Sequence, residues 1–184
     1  MNYAPPSDDW QRRVEALWEA FTGDEDPERF RERVDTLTAE LPDGHPVALY
    51  ERAGAWDSTG HSDRAVPLYR AALEAGLDGY QRRRCVIQLA SSLRNLGEID
   101  ESVLLLETER QRTDADAATA TLNDAVAAFL ALALADAGRK TEALSLALGA
   151  LAPHLPRYQR SVTNYARALT DPEEPLTEAE DQTD

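Results

Sequence analysis

Cysteine, lysine and methionine each occur once in 184 residues, and histidine three times. Cys85, standing alone, excludes an intramolecular disulfide and with it the cysteine framework of small secreted domains. Long apolar runs are missing too. The longest, Ala125 to Ala135, is closed off by Asp124 and Asp136 and falls well short of the ~20 residues that cross a bilayer. It reads as a buried helix rather than a membrane span. Residues 1–10 lack the cationic start and apolar stretch of a secretory signal, so a cytoplasmic protein is expected, with no membrane partner. Positive charge is scarce, 19 Lys+Arg against 34 Asp+Glu, a net charge of −15 that argues against nucleic acid as a partner. All the cations except Lys140 are arginine, which fits a GC-rich genome better than an RNA-binding surface.

The residues of common catalytic and metal sites are equally sparse. His45, His61 and His154 fall in or beside turns with no second histidine at ligand spacing, and read as solvent-facing turn residues. No zinc, P-loop or dinucleotide fingerprint occurs, so neither a metal nor a cofactor is expected, and no enzyme activity. Ser91-Ser92 is followed by no recognisable base. Cys85 beside Arg84 has the one feature that lowers a thiol pKa, a neighbouring cation, and leaves a cysteine-dependent enzyme as a remote alternative.

Acidic charge is abundant but uneven. Residues 171–184 carry seven acidic side chains and no basic one, with two prolines and little apolar surface, and are expected to be a disordered tail. The first 170 residues carry −8.

Elsewhere apolar residues recur at helical spacing and nothing alternates with the period of a strand, which predicts an all-α fold. Trp10, Val14, Leu17, Trp18 and Phe21 form one stripe, followed by Gly23 as a stop; Asp26-Pro27 caps a helix striped by Phe30, Val34, Leu37 and Leu41. Further helices are expected over 46–58, 62–75, 80–95, 98–112, 116–137, 139–152 and 157–169, about nine in all. Three segments align on their glycines. Gly60, Gly97 and Gly138 are each preceded at seven residues by Ala53, Ala90 or Ala131 and at four by Trp56, Leu93 or Leu134. Five residues beyond come Ala65, Ser102 and Ala143. Small residues let two helices approach closely, while bulky ones fill the space between successive hairpins.

This pattern resembles the tetratricopeptide repeat (TPR), a helix-turn-helix unit of about 34 residues, and in particular compact bacterial members of that family. Ala53, Trp56, Gly60, Ala65, Tyr69 and Ala72 carry the likeness in the first clear unit; Arg52 and Glu109 depart from it, and glycine spacings of 37 and 41 imply insertions near 76–82 and 113–123. The resemblance spans about residues 11–157. It implies one α-solenoid domain over 1–170: a degenerate hairpin 8–44, repeats 46–79, 83–116 and 124–157, and a capping helix 157–169 striped by Tyr158, Val162, Tyr165 and Leu169.

In such a fold the first helix of each hairpin lines a concave groove. Helical phase then nominates Tyr50, Asp57, Arg84, Ile87, Gln88, Ser91, Arg94, Asn95 and Leu132, with Tyr50, Ile87 and Leu132 giving apolar contact and Arg84, Arg94 and Asn95 polar orientation. The expected function is binding a peptide or segment of a partner protein. Arginines standing against the global sign suggest an acidic one. A lysine-and-asparagine carboxylate clamp is disfavoured by Ile87 and Ser91 at clamp positions. Alternatives are a homo-oligomeric scaffold, monomer against homodimer, using Trp10 or Trp18; a peptide-sensing regulatory subunit; and an acidic tail that folds back on Arg82, Arg83, Arg84 and Arg94.

Overall fold

The computed structural model describes residues 3–21, 26–113 and 116–171. The expected stop at Gly23 and the acidic segment from Pro172 lie outside the described residues. All regular structure among the described residues is helical, in two compact units: Met1–Glu98 and a second beginning at Ile99.

The first unit opens with α1 (Asp8–Ala20), capped by the Ser7 hydroxyl, which accepts the Trp10 N–H at 3.2 Å. Helix α2 (Pro27–Thr38) starts as its sequence predicts: Pro27 occupies the first turn and the Asp26 carboxylate accepts the Glu28 N–H at 3.1 Å. Three longer helices follow, α3 (Pro46–Ser58), α4 (Ser62–Glu74) and α5 (Gly79–Asn95). Each packs on its neighbour in sequence, and α3 also touches α5. The core begins where the first stripe meets the second. Phe21 stacks on Phe30 with centroids 3.9 Å apart, Trp18 meets Phe30 edge-on at 5.1 Å, and Val34 and Ala55 close the cluster. Trp10 is buried and its indole N–H donates to the Leu37 carbonyl at 2.9 Å, fastening α1 to the end of α2.

The second unit contains α6 (Ile99–Arg110), α7 (Ala117–Ala120), α8 (Asn123–Asp136), α9 (Lys140–Leu151), a single 3-10 turn over Ala152–His154, and α10 (Gln159–Ala168). Here α6 packs on α8, α8 on α9, and α9 on α10.

The three aligned glycines do the same job three times. Gly60, Gly97 and Gly138 have φ of 83°, 86° and 80°, the left-handed region that favours glycine. After each, the next N–H reaches back to the carbonyl of the bulky residue four before the glycine: His61 to Trp56 at 2.9 Å, Glu98 to Leu93 at 2.9 Å, Arg139 to Leu134 at 2.8 Å. These are Schellman closures. The paired small residues Ala53, Ala65, Ala90, Ser102, Ala131 and Ala143 are all buried, as close helix approach requires.

Three expectations need correcting. The helix expected over 116–137 is two helices. The Thr121 hydroxyl donates to the Ala118 carbonyl at 2.6 Å and Leu122 turns out of helical geometry (φ −90°, ψ 4°), so α7 ends and α8 begins afresh. His45 is not a solvent-facing turn residue. It is buried at the start of α3, where Nδ1 accepts the Val47 N–H at 3.2 Å and Nε2 lies 3.0 Å from the Ala4 carbonyl. The stripe of the last helix is not covered. Tyr158 and Tyr165 are 75% and 60% exposed, and α10 docks instead through the buried Ala166, whose carbonyl accepts the Ser145 hydroxyl at 2.7 Å.

Candidate functional site

Within the first unit α1, α3 and α5 enclose a cleft of about 320 Å³. Residues recurring three and four apart put one face of each helix toward it. From α1 come Trp10, Gln11, Val14, Glu15, Trp18 and Glu19; from α3, Tyr50, Glu51 and Gly54; from α5, Gln81, Arg84 and Gln88. No residue of α2 or α4 lines it.

Glu51 is the chemically unusual group. It is only 6% exposed, and its Oε2 accepts the Trp18 indole N–H at 2.6 Å. Burial pushes its carboxyl above the ordinary carboxylate range, against the Trp18 bond and the Arg84 charge, which both pull it down. Gly54 lets this happen. A Cβ there would stand 3.2 Å from the Trp18 ring, so glycine admits the indole against α3. Arg84 is exposed at the cleft, its guanidinium carbon 5.8 Å from the Tyr50 ring and 6.0 Å from Tyr80, a cation–π arrangement. Burial raises the Tyr50 phenol pKa strongly despite that cation. Gln88 lines the cleft with its Oε1 buried and without a hydrogen-bond partner among the described residues.

Of the nominated residues, the structure therefore brings together Tyr50, Arg84 and Gln88. Tyr50 and Ile87 are buried, which corrects their reading as open apolar contacts: α5 packs against both α3 and α4, so its buried arc is wider than one-sided phase allows. Asp57 is engaged internally. It accepts the Ser92 hydroxyl at 2.7 Å, Ser62 at 3.3 Å and Tyr69 at 3.4 Å, joining three helices. Ser91 and Arg94 are half-buried and Asn95 is exposed at the end of α5, none of them lining the cleft. Leu132, 48% exposed, belongs to α8 in the second unit. The contribution of α1 was missed, although the stripe of Trp10, Val14 and Trp18 was legible; the signal for it was the register of the first hairpin against the later ones.

Cys85 is fully buried, its thiol pKa pushed up to about 12 by desolvation despite the nearby Arg82 charge, and its Sγ donates to the Tyr69 carbonyl at 3.6 Å. That environment is the opposite of an activated thiolate. His154 pairs with Asp124 at 2.9 Å and His61 stacks on Trp56, with centroids 5.3 Å apart. No group of three or more histidine, cysteine or acidic side chains among the described residues is placed to hold a metal ion. Neither is any helix among them long and apolar enough to cross a membrane.

No curated protein matches the chain by sequence. Two crystal structures are similar to it: a Podosopora anserina protein described as a kinesin light chain with nearly identical TPR-like repeats, and a single-substitution variant of it. The first has 17% identity and a TM-score of 0.61 over 90% of this chain and 88% of that one. The second has 18% identity and a TM-score of 0.61 over 92% and 91%. At such identity the likeness is one of fold. The family model for the tetratrico peptide repeat matches residues 46–169, taking in the three aligned glycine turns and every helix from α3 to α10. The chain belongs to the tetratricopeptide repeat family.

Proposed function

We propose that the protein is a non-catalytic interaction module that binds a segment of a partner protein in the cleft of the first unit. The observation that carries this reading is a concave site walled by three separate helices, in which the Arg84 guanidinium is exposed and the Gln88 Oε1 has no hydrogen-bond partner among the described residues. A buried polar atom without a partner costs roughly 1–3 kcal/mol, which an occupant supplying the missing bond recovers. Burial of Cys85 supports the absence of thiol chemistry. Peptides selected from a random displayed library should quench or shift the fluorescence of Trp10 and Trp18, and Gln81→Trp should fill the cleft and weaken them at least about tenfold. Equal affinity for the Gln81→Trp variant, with its circular dichroism unchanged, overturns the reading.

A second reading rests on the second unit, where Tyr165 of α10 and the residues that flank the helix, Tyr158 and Leu169, are exposed. An apolar face of this kind suits self-association. Light scattering across a concentration series would then show a dimer for the natural chain and a monomer for Tyr165→Glu; a monomer in both cases removes it. The burial of Trp10 and the partial burial of Trp18 in the first unit argue against a dimer through those residues.

A further inference from the structure

We infer that a second copy of this chain covers one flank of the hairpin made by α9 and α10, the two hairpins stacking face to face as a four-helix bundle, an inference that rests on the self-association reading of the second unit and names the surface that carries it. The hairpin is antiparallel. Near the start of α9 the Ser145 hydroxyl donates to the Ala166 carbonyl near the end of α10 at 2.7 Å, and at the other end the Gln159 amide donates to the Pro153 and Leu155 carbonyls at 3.0 and 2.8 Å. Ser145 and Ala166 thus mark the sides on which the two helices meet. In antiparallel neighbours, one residue back from each such contact is a turn of about 100° toward the same flank. Those residues are Leu144 and Tyr165. Leu148 and Leu151 continue the flank along α9 at helical spacing, and Leu169 continues it past the end of α10. Helix α9 packs on both α8 and α10, yet Ala143 is its one buried residue, so its leucines are left without cover.

Charge and area say what covers them. Residues 143–170 contain no aspartate or glutamate, in a chain that has 34. Two copies that each carry −15 can therefore meet here without setting carboxylate against carboxylate. The arginines of α10 stand clear of the contact: Arg167, one residue on from Ala166, and Arg160, one heptad earlier, fall on the opposite flank. Leu144 and Leu151 are each 50% exposed, Tyr165 60% and Leu169 38%. Side chains of that size leave roughly 400 Å² of apolar area per copy, and apolar atoms make up about two thirds of a homodimer interface, so two copies would bury about 1,200 Å², enough for a specific dimer. A two-fold contact needs a surface that complements itself, which an uncharged face of leucine and tyrosine does. The acidic residues 172–184 fit less well, offering, prolines apart, only Leu176 and Ala179 as apolar side chains.

Light scattering on the full chain across a concentration series should show a dimer. Leu144→Glu/Leu151→Glu should weaken it at least about tenfold, the scale of losing central anchor residues. Circular dichroism should stay unchanged, because both side chains are already half exposed in the single chain. A second measurement introduces no charge into the flank. Leu151→Cys should be alkylated more slowly as protein concentration rises, while Arg160→Cys on the opposite flank keeps one rate; Cys85, fully buried, adds little to either. A dimer that Tyr165→Glu dissolves but Leu144→Glu/Leu151→Glu leaves intact, with Leu151→Cys equally reactive at every concentration, overturns the four-helix arrangement and leaves self-association standing. Alkylation of Leu151→Cys that is slow at every concentration and speeds up when residues 172–184 are deleted overturns it as well, since the flank is then covered from within the chain. A natural chain that stays monomeric throughout removes the underlying reading.

Discussion

A buried carboxylate states its own pH dependence. The carboxyl of Glu51 ordinarily titrates near 4.5 and is raised in the folded chain, first by burial. Between those two values the folded state holds a proton that the unfolded state has released, so this group's contribution to stability is present below about 4.5 and is lost as pH rises through the folded value. Glu51→Gln has no such titration and keeps an acceptor for Trp18. It should therefore melt higher than the natural chain at neutral pH, with the two converging toward pH 4; thermal melts at both ends check this, and a gap that widens on acidification contradicts it. Neither the role of Glu51 nor that of Asp57 was legible in the sequence. Both are acidic residues of one helix in a chain rich in them, and only packing decides that one meets an indole and the other the Ser92 hydroxyl. Arg84 and Gln88 were legible because phase alone turns them away from the apolar arc of their helix.

At the level of elements, the turns read through most clearly. A left-handed glycine followed by a Schellman closure leaves a signature of one residue type at one position, and it recurs at Gly60, Gly97 and Gly138. No atom lies within 4 Å of where a Cβ would stand at any of the three, so replacing them strains only the backbone. Gly60→Ala, Gly97→Ala and Gly138→Ala should each cost about 1–2 kcal/mol in urea unfolding, and by similar amounts. A markedly larger loss at one site would show that its glycine serves packing as well. The helix expected over 116–137 failed for the reason the turns succeeded. Thr121 competes for a carbonyl through its hydroxyl, a local bond to which apolar periodicity is blind. Tyr158 and Tyr165 fall at helical spacing in the sequence, yet Tyr158 is the left-handed N-cap of α10 (φ 67°), and among the described residues the helix packs on α9 and the 3-10 turn with Ala166 buried.

For the whole molecule, charge is the dominant long-range term. A formal net charge of −15 means self-repulsion that compactness makes worse, while several ion pairs that would offset it are exposed: Arg52 with Asp35 at 2.8 Å, and Arg139 with Glu142 at 2.7 Å and Glu107 at 3.1 Å. Exposed pairs contribute little, so screening should help more than it harms. Raising NaCl from about 20 to about 300 mM should lift Tm by a few degrees, because the Debye length shrinks to well below the size of a unit. A falling Tm would instead make those pairs principal supports of the fold. The cleft draws a different consequence from the same repeat construction. Two of its walls, α3 and α5, both pack on α4, whose Ala65 and Ala72 are fully buried. Enlarging either alanine would pry the walls apart like a wedge behind a vice, so selection could retune what the site admits without altering any residue that a ligand meets.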